Sequence, residues 1–349
     1  MNLKKYSLVL AFVLLSALVL GCAANVAKEP PKAPPLQNEE PAAKPQPKPD
    51  KEPYRLSVIA LKGPTGMGMV KLMENASTQE ANAKYSFSLA AAPDEIVGKI
   101  ATGEVDIAAA PINLAAALYN KTEGGVAVIA VNTLGVLYIL ENGDSVQTFS
   151  DLSKTKLFAT GEGATPEYIL NYLLEQNEAS ENTEIEYMAE HSELATLLAA
   201  DMGGVKVAML PEPNATIARQ KNPQLRIALD LTEEWNKVSG GTELVQGCII
   251  VRREVLNNNP EAVDAFLAGY KESTAFTNEQ QSEAAALIEK FGIIPNAKAA
   301  EAAIPRSNIV CITGEEMKQS AAKMLEVLYA ANPKSIGGKL PGDDFYYIP

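Results

Sequence analysis

Two stretches of the chain join a glycine-bearing turn to what reads as the start of a helix. Gly63-Pro64-Thr65-Gly66-Met67-Gly68 follows an apolar run over residues 55–61, and Gly161-Glu162-Gly163-Ala164-Thr165-Pro166 follows another over 156–160. At such turns glycine lets a ligand approach bare backbone, while the unpaired amides and dipole of the helix start favour an acceptor or anionic atom. Thr65, Gly66 and Met67 are therefore candidate ligand contacts from one turn, and Gly163, Ala164 and Thr165 from the other. Plain turn punctuation accounts for either loop equally well. Neither is a nucleotide signature, because Gly66-Met67-Gly68 lacks the third glycine of a dinucleotide loop and no lysine-serine pair follows.

Three further places end predicted strands. Asn113 follows the run 105–110 and either caps a helix or touches a ligand; Asn132 and Thr133 follow the run 126–131 and join the candidate contacts. Glu212, held between Pro211 and Pro213, accepts hydrogen bonds from a ligand, latches one part of the fold to another, or stands solvated. A nucleophile-and-base constellation has little material. The single histidine, His191, lies in Ala-Glu-His-Ser-Glu-Leu and reads as a surface residue at a helix start. Cys248 and Cys311 are far apart and in no metal-ligand spacing, so they are two buried thiols or one disulfide. No catalytic residue, metal or cofactor is expected. Helix starts with Lys62 as the only cation near the turns suit a neutral or singly anionic ligand, and Tyr138, Tyr168 or Trp235 could each offer one face to a flat one.

The elements that position these residues alternate in type. Runs at 55–61, 85–90, 105–110 and 126–131 read as strands, with helical patterns at 93–101 and 113–119 between them. The series restarts with strands at 134–140, 156–160, 184–188, 205–210 and 225–229, a helix after Thr165 with Thr165 as cap and Pro166 at its first position, and another over 193–200. One more strand, 248–251, precedes three helical patterns reaching Tyr329. This is an α/β chain with mainly parallel sheets and ligands outside the carboxyl ends of the strands. Two lobes are expected, residues 54–133 with 248–349 and residues 134–247, joined by crossovers near 132–134 and 246–247.

Ahead of this body lie Lys4 and Lys5, an apolar run over 8–20, then Gly21 and Cys22. The run is too short to span a bilayer, which takes about 20 residues, and suits a secretion signal over 1–21. The Gly21-Cys22 pair resembles a lipobox, which makes Cys22 the lipidated first residue of the mature chain. Residues 22–53 are rich in Pro, Ala, Lys and Glu, with charges that cancel, and read as a disordered tether. The formal net charge of −13 therefore comes from the acidic body, where Asp and Glu outnumber Lys and Arg, and argues against nucleic-acid binding.

From about residue 54 onward the chain resembles the nitrate, sulfonate and thiamine-precursor branch of ABC transporter substrate-binding lipoproteins, of the type II periplasmic-binding-protein fold. The resemblance rests on Gly63-Pro64-Thr65-Gly66-Met67, Gly103-Glu104-Val105-Asp106-Ile107-Ala108, Asp151-Leu152 leading to Ala159-Thr160-Gly161, Met209-Leu210-Pro211-Glu212-Pro213, Leu229-Asp230-Leu231 with Trp235, and Ser335-Ile336-Gly337-Gly338-Lys339-Leu340-Pro341. It implies a lipid-anchored monomer on the outer face of the cell membrane, whose two lobes close over a small solute and dock on an ABC permease. Two other functions share such a fold: a sensory lipoprotein without transport, and an enzyme like those of pyrimidine synthesis. The latter depends on a histidine and a cysteine-rich motif, whereas this sequence has no cysteine cluster and places its histidine away from the turns.

Overall fold

The computed structural model describes residues 54–78 and 85–349. The signal over 1–21, the tether over 22–53 and Cys22 lie outside the described residues.

The chain opens with β1 (Leu56–Leu61), a single helical turn α1 (Pro64–Met67) and α2 (Val70–Ser77), then β2 (Tyr85–Ala90), α3 (Pro93–Ala101), β3 (Ile107–Pro111), α4 (Ile112–Lys121) and β4 (Val126–Thr133). Every residue of β4 is buried, as its unbroken apolar composition requires of a strand covered on both faces. A second series follows: β5 (Leu137–Glu141), β6 (Lys156–Thr160), α5 (Thr165–Gln176), β7 (Glu184–Met188), α6 (His191–Ala200), β8 (Val207–Pro211), α7 (Asn214–Lys221), β9 (Arg226–Asp230) and α8 (Leu231–Val238). The chain then returns through β10 (Gly247–Arg252), α9 (Arg253–Asn258), α10 (Pro260–Glu279), α11 (Gln281–Lys290), α12 (Ala297–Ala303), β11 (Ile309–Ile312) and α13 (Gly314–Ala331).

These strands form two mixed sheets, ordered β11-β4-β10-β3-β1-β2 and β7-β6-β8-β5-β9. The sheets are less parallel than the alternation of elements implies. β10 runs antiparallel to both β3 and β4, and β5 runs antiparallel to both β8 and β9. The crossovers explain this: a chain arriving from the other lobe enters at the strand ends that face that lobe, so its first strand runs opposite to its neighbours. The two crossovers lie side by side, with Gln246 N donating to Thr133 O (3.0 Å) and Val136 N to Gln246 Oε1 (2.6 Å). Gly247 admits this approach, since a Cβ there would sit 2.5 Å from Asn132 Oδ1.

Two other expectations change, and one pair of alternatives is resolved. The region after 251 holds five helices and a strand, β11, rather than three helices. β11 has only four residues, Ile-Val-Cys-Ile, and lies at a sheet edge, too short to announce itself beside an apolar thiol context. Cys248 and Cys311 are both free thiols. β4 lies between their strands, so they sit two strand spacings apart, about 10 Å, beyond the roughly 7 Å that a disulfide bridges. Finally, Ala164 rather than Thr165 is the N-cap of α5; Thr165 is its first residue and Pro166 its second, and no side chain caps the helix.

Candidate functional site

The carboxyl ends of β1, β3, β6 and β8 and both crossovers border one cavity of about 460 Å³, within the range of small-molecule sites. From the first lobe it is lined by Gly63, Pro64 and Thr65 after β1, and by Pro111, Asn113 and Leu114 after β3. From the second come Gly161, Ala164, Thr165 and Pro166 after β6, His191 at the start of α6, and Pro211, Glu212, Pro213 and Asn214 after β8. Thr133, Val136, Leu137 and Gln246 form its floor at the crossovers.

The cavity thus gathers Thr65, Asn113, Thr133, Ala164, Thr165 and Glu212. The other candidates stand elsewhere. Gly66 is buried behind the turn, where a Cβ would meet Leu61 O at 2.6 Å, so its glycine serves the tight reversal from β1 into α1. Met67 is fully buried in the core of the first lobe. Asn132, 1% exposed, donates from Nδ2 to Thr65 O (2.9 Å) and so holds the first turn in place from behind. Gly163 is exposed and opens instead onto a separate hollow of about 860 Å³ between α5 and α13. Its carbonyl accepts from Tyr168 Oη (2.9 Å), which in turn accepts from Asn332 Nδ2 (2.9 Å) after α13.

Glu212 is neither solvated nor free for a ligand. It is 2% exposed, and its carboxylate accepts from Arg306 Nε (2.8 Å), Thr216 Oγ1 (2.9 Å) and Thr216 N (3.2 Å). Arg306 follows α12 on the returning chain, so the pair bridges the two lobes beside the cavity; its Nη2 also reaches Thr216 Oγ1 (2.6 Å) and Ala302 O (2.8 Å). Burial pushes the Glu212 pKa up, while Thr216 and Arg306 pull the other way. Tyr138, Tyr168 and Trp235 offer no face to the cavity: they are 2%, 7% and 0% exposed, and Trp235 Nε1 donates to Thr242 O (2.8 Å).

His191 is the residue whose place the sequence hid. It borders the cavity, and its Nδ1 forms a short hydrogen bond with Thr160 Oγ1 at the end of β6. Burial lowers its pKa below the ordinary imidazole value, against a smaller opposing pull from Glu190. Only the fold, which sets α6 beside β6, brings this lone histidine to the strand ends. Among the described residues, no group of three or more His, Cys, Asp and Glu residues could hold a metal ion.

A two-lobed molecule with its cavity at the lobe boundary has the periplasmic-binding-protein fold, shared by solved structures that match nearly end to end. An ABC transporter protein from Parabacteroides distasonis is 24% identical, with a TM-score of 0.69 and coverage of 84% of this chain and 98% of its own. The periplasmic aliphatic sulphonate binding protein SsuA from Escherichia coli is 17% identical, with a TM-score of 0.68 and coverage of 85% and 93%. A Candida albicans protein of the generic periplasmic binding protein fold is 12% identical, with a TM-score of 0.51 and coverage of 84% and 93%. No curated protein sequence matches the chain. The chain belongs to the family described as menaquinone biosynthesis, whose model matches residues 69–305, more than half of its length.

Proposed function

We propose that the protein is a solute-capture lipoprotein, anchored through Cys22 on the outer face of the cell membrane, that closes its two lobes over a small organic molecule and hands it to an ABC permease. The observation that carries this reading is the cavity at the lobe boundary, walled by strand-end loops of both sheets and floored by both crossovers. Walls from two bodies joined by short strands grip a ligand most fully when the bodies approach, so binding and closure are coupled. Thr65 and Asn113 from one wall, Ala164 and Thr165 from the other, and Thr133 on the floor are the proposed contacts. The sulphonate-binding and ABC-transporter neighbours support this use of the fold.

The family description and His191 favour a second reading, a catalyst acting on a small molecule in the same cavity. One experiment separates them. Protein incubated with a metabolite extract is recovered, and its ligand is identified by mass spectrometry alongside small-angle scattering of free and bound protein. Capture requires an unaltered ligand and a smaller radius of gyration when bound; steady conversion of the ligand to a product rejects capture in favour of catalysis. The anchor is tested by the intact mass of membrane-extracted protein, which should begin at a diacylglyceryl-modified Cys22.

A further inference from the structure

The cavity lies at several helix starts, a geometry that ordinarily welcomes anions. Here those starts offer fewer free N–H groups than usual. Pro64 and Pro93 occupy the first positions of α1 and α3, and Pro166 the second position of α5, so none has an N–H to offer. Several neighbouring amides are also taken by the chain itself: Gly66 N donates to Gly63 O (3.0 Å), Ile112 N to Gln246 O (3.1 Å) and Glu167 N to Ala164 O (3.1 Å).

One of the chain's own carboxylates also fills an anion position at the cavity; a second, Glu167, accepts from Gly163 N on the side of the turn that opens to the other hollow. Glu212, which lines the cavity, accepts from Thr216 N in the first turn of α7 and is paired with Arg306. Lys62 stands exposed at the rim, where solvent weakens its pull on any anion. Burial favours the neutral form of His191, which adds no fixed positive charge.

What the cavity does present is apolar and rigid. Pro64, Pro93, Pro111, Pro166, Pro211 and Pro213 all line it, with Leu114, Val136 and Leu137 between them. Pyrrolidine rings offer stiff C–H faces, electropositive at the hydrogens, which complement the negative face of an aromatic ring. Asn113, Thr165 and His191 are among the polar side chains that can orient such a body.

We infer that the solute is an uncharged organic molecule with an apolar, ring-bearing body and a small polar group directed at Asn113, Thr165 or His191, and that sulfonate-type and inorganic anions are excluded. This rests on the capture reading and narrows it. The test is calorimetric titration of the full chain with 2-naphthol, 2-naphthalenesulfonate and methanesulfonate at neutral pH. The expected result is that 2-naphthol binds at least tenfold more tightly than 2-naphthalenesulfonate and that methanesulfonate gives no binding heat. Leu114→Trp, which fills the cavity, should abolish 2-naphthol binding while retaining a cooperative melt.

Equal or tighter binding of either sulfonate overturns the inference and leaves solute capture standing. Binding of 2-naphthol that survives in folded Leu114→Trp also overturns it, because the molecule then sits elsewhere. If none of the three binds while a metabolite extract still raises the melting temperature, the ligand class is wrong and capture stands; if the extract also has no effect, the capture reading falls with it.

Discussion

Removing the Arg306 guanidinium strands the Glu212 carboxylate, which is 2% exposed and has no other cationic partner among the described residues. An unpaired buried charge is costly, so Arg306→Met should lower unfolding free energy in urea by about 3 kcal/mol, and adding Glu212→Gln should restore much of the loss. Additive losses would mean that the two side chains do not act as a pair. His191 makes a prediction about pH. Its folded pKa lies below its unfolded value of about 6.5 because burial disfavours the charged ring, so the folded state binds protons less readily than the unfolded chain. The stability it contributes is full above that value and falls as pH drops through the lower folded pKa. Melting curves across this range should decline on acidification, and His191→Gln should decline less. Sequence shows that Glu212 sits rigidly between two prolines and that His191 begins a helix. It does not show the partners, Arg306 and Thr160, because each pairing spans two elements that only tertiary packing brings together.

Helix and strand types within the lobes are legible because apolar periodicity and proline placement agree along each segment. Pro93 opens α3, Pro166 lies in the first turn of α5, and Pro260 opens α10. Strand direction is not legible, since it depends on which edge a crossover arrives from, and an edge strand as short as β11 has no period to read. The two glycine-bearing turns show the same division. Both lie between a strand and a helix as their sequences imply, yet they meet the cavity through Gly63, Pro64, Thr65, Ala164 and Thr165, while Gly66 and Met67 turn into the core. The placement of β4 between the two cysteine strands yields a chemical expectation. Burial pushes the Cys311 thiol pKa up to about 11, and Cys248, fully buried, higher still. Iodoacetamide on native protein should therefore modify Cys311 slowly and leave Cys248 untouched, with both reacting in urea; peptide mapping that finds a Cys248–Cys311 bridge would contradict the strand order.

Beside an interior of its own, each sheet shares a further one with the other. One continuous apolar core takes in Ile59, Val128 and Val131 from the first lobe, Leu137, Ile169 and Leu173 from the second, and Met324 and Leu328 from α13, which packs against α5 as well as β4. A helix shared in this way makes the lobes poor candidates for independent folding. The molecule also carries a built-in reporter of that dependence. Trp235, the only tryptophan in the sequence, lies wholly inside the second lobe, 5.1 Å from the ring of Tyr172, whereas secondary structure is spread over both lobes. Tryptophan emission therefore follows one lobe while circular dichroism follows the whole chain. If the shared core couples them, the two signals should trace a single denaturation curve with one midpoint, and a fluorescence transition that precedes or trails the dichroism would reveal a lobe melting by itself.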